Sequence, residues 1–301
     1  MAKIAKLLND PRAFFLDARS SAVRVSGLWL LDRFPSVTQV LAFVGAPLDH
    51  MTRSRHTFVS ACGLGVDRVF GLMRQRYLVS HGHPIISVIM PAYNAAGHIG
   101  AAIESIRNQS YDNWELVVVD DASTDDTVDV VGRWVQRDDR IRLLTLKKNA
   151  GPGVARNAGI EAASGAFIAF QDADDISHFR RLEIQLTALL RHSDKVISTC
   201  RYCRVDRSME AVAFNGKIYR KSLISMMIRR MVIDRVGGFP RGFLGEDSEY
   251  FSRIKQYFGS DCEIHSNRVM YFASVRPDSL FMRGVNATIR RSPQGHDEVV
   301  Y

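Results

Sequence analysis

Ile85-Ile86-Ser87-Val88-Ile89-Met90-Pro91-Ala92-Tyr93-Asn94 decides how the rest of the chain reads. The first six residues, all apolar but Ser87, are mostly β-branched, the signature of a short buried strand. Pro91 has no N–H for a central ladder and is expected to end it. Ile99, Ile103 and Ile106 then recur on one helical face. Leu116–Val119 reads as a second buried strand closing on Asp120-Asp121, with Ser123 and Thr124 placed to cap a helix whose Val128, Val131 and Val135 share a face. Ile141–Leu146 is a third strand. Ala155, Ala158 and Ala162 give the next helix a small-residue face. Phe167–Phe170 is a fourth strand, running into Gln171-Asp172-Ala173-Asp174-Asp175, and Phe179, Leu182, Leu186 and Leu189 mark another helix. Strands alternating with helices of this length predict βαβ units, an α/β fold whose central sheet is mostly parallel and flanked by helices.

In such sheets the ligand crevice lies outside the carboxyl ends of the strands. Three polar clusters fall at those ends: Pro91-Ala92-Tyr93-Asn94, Asp120-Asp121-Ala122-Ser123 and Asp172-Ala173-Asp174. Carboxylates gathered on one rim repel one another unless a cation sits among them, which predicts a divalent metal.

Outward from this core the composition shifts. Of 301 residues, 46% are apolar and 24% charged, which excludes collagen, low-complexity disorder and a disulfide mini-protein. Residues 1–83 hold 11 Lys+Arg against 5 Asp and no Glu, and so carry +6 of the net +8. They read as a basic, helical N-terminal extension that either contacts an anionic membrane face or packs as a solvated arm. Its aromatics do not interleave with its basic residues as a stacking platform would need, so nucleic acid is not an expected partner. No sufficiently long apolar run predicts a transmembrane helix and no secretion signal is visible, so a cytoplasmic location is expected, with the inner membrane face as the docking option. Four cysteines make no disulfide framework; Cys200 and Cys203 form a C-x-x-C without a second ligand pair and read as two reduced thiols. The organisation expected is an extension (1–83), a catalytic domain (84–284, divided near 175 into a nucleotide-sugar half and an acceptor half) and a polar tail (285–301).

Ile86–Asn94 followed by Val118-Val119-Asp120-Asp121-Ala122-Ser123-Thr124-Asp125 resembles the opening of a family 2 glycosyltransferase. So do Lys148–Asn157, the D-x-D triplet Asp172-Ala173-Asp174, and Val236-Gly237-Gly238-Phe239-Pro240 leading to Gly245-Glu246-Asp247-Ser248-Glu249. The resemblance covers roughly residues 84–280, and it is the ordered set of motifs that makes it specific. It implies a GT-A fold and transfer of a sugar from a nucleotide diphosphate donor to a hydroxyl of a glycan or lipid-linked acceptor, as in bacterial polysaccharide or glycolipid synthesis. By position, it implies that Pro91 and Tyr93 flank the donor base, with Tyr93 stacked on it. Asp121 accepts a hydrogen bond from that base, and Arg156 and Asp172 lie by the donor. Asp174 binds manganese or magnesium, and Asp247 is the general base.

These residue types suit that chemistry. A leaving diphosphate gains negative charge, which a hard cation on oxygen ligands offsets. The attacking hydroxyl must lose a proton to a carboxylate on the other face of the sugar, and a single displacement inverts the anomeric centre. Each residue also has a plainer reading: Tyr93 as a turn aromatic, Asp120 and Asp121 as helix-cap acids, and Asp174 as a loop acid. Asp175 is read as a cap acid, and Glu246 and Asp247 could be helix N-terminal acids. Arg156 either touches the donor or pairs with an acid, and Arg276-Pro277-Asp278-Ser279 is either a loop over the diphosphate or a surface turn.

Three other function classes are weaker. Gly151-Pro152-Gly153-Val154-Ala155-Arg156 fails the dinucleotide fingerprint at its last position and follows the third strand rather than the first. A nucleotidyltransferase should carry a basic, Gly-rich loop after the first strand, and 91–98 has none. A non-catalytic membrane or partner module would be marked by loss of Asp174 or Asp247, and both are present. The acceptor is expected to meet residues 200–245, where Tyr219-Arg220-Lys221 and Arg229-Arg230 offer either an anion-binding surface or a solvated basic face.

Overall fold

Strand β1 (Ile86–Ala92) lies between β2 (Trp114–Asp120) and β4 (Phe167–Phe170), parallel to both. The computed structural model describes residues 78, 80–206, 209–214, 218–241, 245–276, 288–291 and 297–300. Nearly all of the expected N-terminal extension lies outside them. Strand β3 (Ile141–Thr145) continues the parallel set, giving the order β3-β2-β1-β4. Beyond β4 the sheet becomes mixed. Strand β8 (Tyr219–Arg229) runs antiparallel to β4 and to β6 (Ile197–Val205), and β6 pairs in parallel with β9 (Glu263–Ser274). Two residues of β5 (Ile176–Ser177) pair with β9, and β7 (Ala211–Phe214) pairs with β6. The expected polar tail supplies β10 (Thr288–Arg291) and β11 (Asp297–Val300), which extend the sheet past β7.

Alternation along the central strands explains why both sheet faces are covered. Ile86, Val88 and Met90 of β1 join one apolar cluster, with Leu116 and Val118 of β2 and Phe167 and Ala169 of β4. Ile89, Val117, Val119, Ile168 and Phe170 point the other way into a second cluster. The first face is covered by α1 (Ile99–Arg107), α2 (Thr127–Val135) and α4 (Arg181–Arg191), which bury Ile99, Ile103, Ile106, Val131, Leu182, Leu186 and Leu189. The second is covered by α3 (Pro152–Ala162), α5 (Met231–Val236) and α6 (Glu246–Phe258) through Ala155, Ile160, Val232, Tyr250 and Ile254. Each fully buried aliphatic side chain contributes about 1.5–3 kcal/mol, so this double-sided burial dominates the fold. The small face expected for α3 is real: a Cβ on Gly159 would stand 2.5 Å from Ile89 Cγ2, so the helix sits closer to β1 than an alanine allows.

Several local expectations shift. Strand β1 runs through Pro91 because its pairing with β4 has already stopped at Ile89↔Phe170, while pairing with β2 continues to Ala92↔Asp120. Pro91 therefore costs no ladder bond on the β4 side. Helix α2 starts at Thr127, and Asp125 rather than Ser123 or Thr124 receives its Thr127 N–H, at 3.0 Å. Val128 is exposed and only Val131 of the predicted trio is fully buried. Phe179 is exposed, because α4 begins only at Arg181 and the turn after β5 leaves Phe179 ahead of the buried helix face. Cys200 and Cys203 are buried free thiols, as read from the sequence.

Candidate active site

Because β1 and β2 outrun β4, their carboxyl ends open a cleft of about 500 Å³. Its walls include Pro91, Tyr93, Asp121, Arg156, Asp172, Asp174 and Asp247, so all seven residues singled out in the sequence meet at one place.

The rim after β1 is stitched to the rim after β2. Asn94 N donates to Ser123 Oγ at 2.9 Å, Thr124 N donates to Asn94 Oδ1 at 2.8 Å, and Ala96 N donates to Asp125 Oδ2 at 3.0 Å. Tyr93 stands beside this seam with half its surface exposed, free to offer a ring face. Asp121 is buried, and its two oxygens accept the Ala150 and Gly151 N–H groups, each at 2.8 Å. Gly151 has φ +89°, which glycine adopts without strain, and Pro152 then opens α3. The carboxylate expected to meet a base thus also clasps the loop before α3. Asp120 acts within its own turn, where its Oδ2 receives Ser123 N at 3.1 Å.

On the opposite wall, one oxygen each of Asp172, Asp174 and Asp175 lies within 4.8 Å of the others. Asp172 Oδ1 accepts from Arg156 Nη2 at 2.8 Å, and Asp174 Oδ2 accepts from Arg276 Nη2 at 2.5 Å. Asp175 is buried, with Ser274 N donating to its Oδ1 at 2.9 Å. Burial pushes the Asp172 carboxyl up to about 6 against the pull of Arg156, with Asp174 adding to the rise. Burial and the Asp174 and Asp172 charges push Asp175 well above the usual carboxylate range. Three crowded, oxygen-only donors whose ionisation is opposed by their own packing form the donor set that a hard divalent cation relieves. Asp175, read as a cap acid, belongs to this group. Only the fold could show it, because its partner Ser274 lies 99 residues further on.

Arg156 is the hub between the walls. Its buried guanidinium donates to Asp172 and, at 2.7 Å, to Glu246 Oε1, and lies 3.6 Å from Asp247 Oδ1. These partners are all carboxylates, which is the acid-pairing option left open in the sequence. The Phe239 ring beneath it, 5.3 Å away, adds cation–π support. Asp247 sits in the first turn of α6, whose N-cap is Gly245 in a left-handed conformation and so offers no side-chain cap bond. Burial raises its carboxyl, Arg156 opposes that rise, and Glu246 adds to it. Glu246, set aside in the sequence as a helix-end acid, is the Arg156 partner.

A family model, Glycosyl transferase family 2, matches residues 87–243, more than half of the chain. The chain belongs to glycosyl transferase family 2. Among curated relatives of this family 2 chain, the Escherichia coli UDP-Glc:alpha-D-GlcNAc-diphosphoundecaprenol beta-1,3-glucosyltransferase WfgD is 45% identical over 36% of this chain and 42% of its own length. This and other relatives that it matches are spanned for less than half of their length. Among solved structures, Staphylococcus aureus TarS 1–349 in complex with UDP-GlcNAc is similar with a TM-score of 0.54 and 22% identity, over 64% of this chain and 59% of that one. The mannosyltransferase PcManGT from Pyrobaculum calidifontis, in complex with GDP-Man and Mn2+, has a TM-score of 0.53 and 22% identity, over 80% and 70%. These likenesses show the GT-A fold.

The basic residues expected near an acceptor are otherwise engaged in this family 2 chain. Arg229 donates to Lys195 O and Leu189 O, Arg230 to Gly165 O and Ala163 O, and Lys221 pairs with Glu263. The acceptor half lines the cleft with Arg204 on β6, Ile224 on β8, Gly245, Glu246 and Asp247 at the start of α6, Ala273 and Ser274 at the end of β9, and Arg276 just beyond it. Of the loop expected over a diphosphate, Arg276 is described and lines the cleft; 277–279 lie outside the described residues.

Proposed function

We propose that this chain transfers a sugar, with inversion, from a nucleotide diphosphate sugar to a hydroxyl of a glycan or lipid-linked acceptor. The observation that carries the reading is the convergence of the Asp172–Asp174–Asp175 group and Asp247 on one cleft, joined through Arg156. The rim of Pro91, Tyr93 and Asp121 suits a donor base, with the half-exposed Tyr93 ring as the stacking surface. Asp174, with Asp172 and Asp175 beside it, would hold manganese or magnesium. Such an ion, when bound, offsets the charge of the leaving diphosphate. Arg276 approaches the same place and adds positive charge there. Asp247 takes the acceptor proton: burial strengthens it as a base, and Arg156 keeps its ionised form accessible. Glu246 and Asp172 hold Arg156 in the orientation that allows this.

The relative WfgD is named for transfer from UDP-Glc to a diphosphoundecaprenol-linked sugar, and TarS is seen with UDP-GlcNAc; both names support a nucleotide-sugar donor here, and the WfgD name supports a lipid diphosphate-linked acceptor. No helix among the described residues is long and apolar enough to cross a membrane. The +6 charge of residues 1–83 supports peripheral contact with an anionic inner membrane face.

Release of nucleoside diphosphate from a panel of sugar donors, with and without manganese, tests the reading. Metal-dependent release that rises with an acceptor supports it. Pyrophosphate release from a nucleoside triphosphate and a sugar phosphate would replace it with nucleotidyl transfer.

A further inference from the structure

Tyr271 of β9 is fully buried directly behind the acidic group, 99 residues beyond Asp172 in sequence. Its hydroxyl accepts the Asp172 backbone N–H at 3.0 Å, and from nearby it opposes the rise of the Asp175 carboxyl. The phenol oxygen therefore anchors the first residue of the four-residue turn that carries the three acids. A buried hydroxyl is costly unless bonded, and this one is bonded to that turn.

The surroundings fix the ring rather than leaving it to swing. Tyr271 is paired in register with Ser177 of β5 and with Tyr202 of β6, so its backbone is held from two sides. The Arg181 guanidinium, also fully buried, lies 5.6 Å from the ring centroid and donates to Phe170 O and Ser225 O. The same turn is braced by Gln171, whose Nε2 donates to Asp175 O at 2.7 Å and Asp172 O at 3.2 Å. Ser274 completes the brace: its Oγ donates to Asp174 O at 2.5 Å.

We infer that Tyr271 is a positioning residue for the cation site, fixing the start of the turn that carries Asp172, Asp174 and Asp175. This role rests on the metal reading of the site and deepens it. Tyr271 touches no substrate; it acts through the acids. Groups that orient metal-binding carboxylates typically change metal affinity by about 10–100-fold when removed. A phenylalanine keeps the ring and its packing and deletes only the oxygen that holds the Asp172 N–H.

The test uses the full chain with Mn2+ and a nucleoside diphosphate, comparing wild type, Asp174→Asn and Tyr271→Phe. Mn2+ binding is followed by the electron paramagnetic resonance of the free ion, and the Mn2+ dependence of donor turnover is measured alongside. The expected result is that wild type binds, Asp174→Asn loses binding, and Tyr271→Phe binds about 10–100-fold more weakly. In turnover, Tyr271→Phe should raise the half-activating Mn2+ concentration by a similar factor, with kcat at saturating Mn2+ largely kept. A purely structural role would lower kcat at every Mn2+ concentration without moving that midpoint, and would overturn the inference. Binding by Tyr271→Phe equal to wild type, while Asp174→Asn has lost it, overturns the inference and leaves the metal reading standing. No Mn2+ binding by wild type overturns both. A Tyr271→Phe chain that does not fold overturns the inference too, since the oxygen would then belong to core stability.

Discussion

Arg156 Nη1 donates to Glu246 Oε1 at 2.7 Å, a buried bond that ties α3 to the first turn of α6 across 90 residues of sequence. The same guanidinium holds Asp172 on the metal-side wall, so one side chain sets the relative position of two walls of the cleft.

Arg156→Met should therefore destabilise the chain by about 3–5 kcal/mol at neutral pH, because removing one partner strands buried charge on the others. The pH dependence has a definite sign. Asp172 already titrates near 6, above its unfolded value of 3.8, so the stability it contributes is complete below about 3.8 and is lost as pH rises through about 6. Without Arg156 that loss deepens, and the mutant's deficit should shrink as the pH is lowered from about 8 to about 5. Urea melts of both proteins in metal-free buffer at these two pH values measure it; a deficit independent of pH would contradict the linkage.

Asp174→Asn should abolish Mn2+-dependent turnover, by about 100-fold or more, while leaving the fold intact. In metal-free buffer its melting temperature should stay close to that of wild type, since losing a like charge beside Asp172 and Asp175 offsets the weakened bond from Arg276. Normal turnover at low manganese would reject the assignment of this residue.

Asp247→Asn should reduce transfer by about 10²–10⁴-fold with donor binding near normal. The rival role, an acid favourable at the α6 N-terminus, is worth only about 0.3–1 kcal/mol of stability and predicts retained turnover. Kinetics and thermal melts on one preparation separate the two, and full transfer activity would turn attention to Glu246 or Glu249.

Asp138 offers a check on the fold away from the cleft. Its hydrogen bonds with Arg140 and Arg107 pull its carboxyl down to about 2, so its stabilising contribution is present above about 3.8 and fades as pH falls through 2. Asp138→Asn should cost about 1–2 kcal/mol at neutral pH, allowing for the partial exposure of both arginines. The gap between mutant and wild-type melts should close near pH 2.

The parallel half of the fold was legible because its strands are short, β-branched and buried on both faces, so that Val88, Val118 and Ala169 need no alternation to be recognised. The second half was not. Strand β8 mixes Tyr219 and Lys221 with Met226–Ile228, and its basic residues read as an open surface although Arg229 spends its donors on backbone carbonyls. At the cleft, residues at strand ends could be read from position alone. Asp175 and Glu246 could not, because what distinguishes each from an ordinary helix-end acid is a partner from a distant element: Ser274 for one and Arg156 for the other.

The unequal reach of β1 and β4 fixes more than the place of the cleft. From Ile89 to Ala92 the sheet loses one neighbour for three residues (92 − 89), a notch about 10 Å deep at the usual strand rise. The notch is made of main chain, so side-chain substitutions can alter what it holds without moving it. Its floor is the end of β4, and the turn bearing the acids hangs directly from that floor. Lengthening β4 by two residues would fill the notch and carry the acids out of it, whereas the loops at its lip can vary in length and leave its depth unchanged.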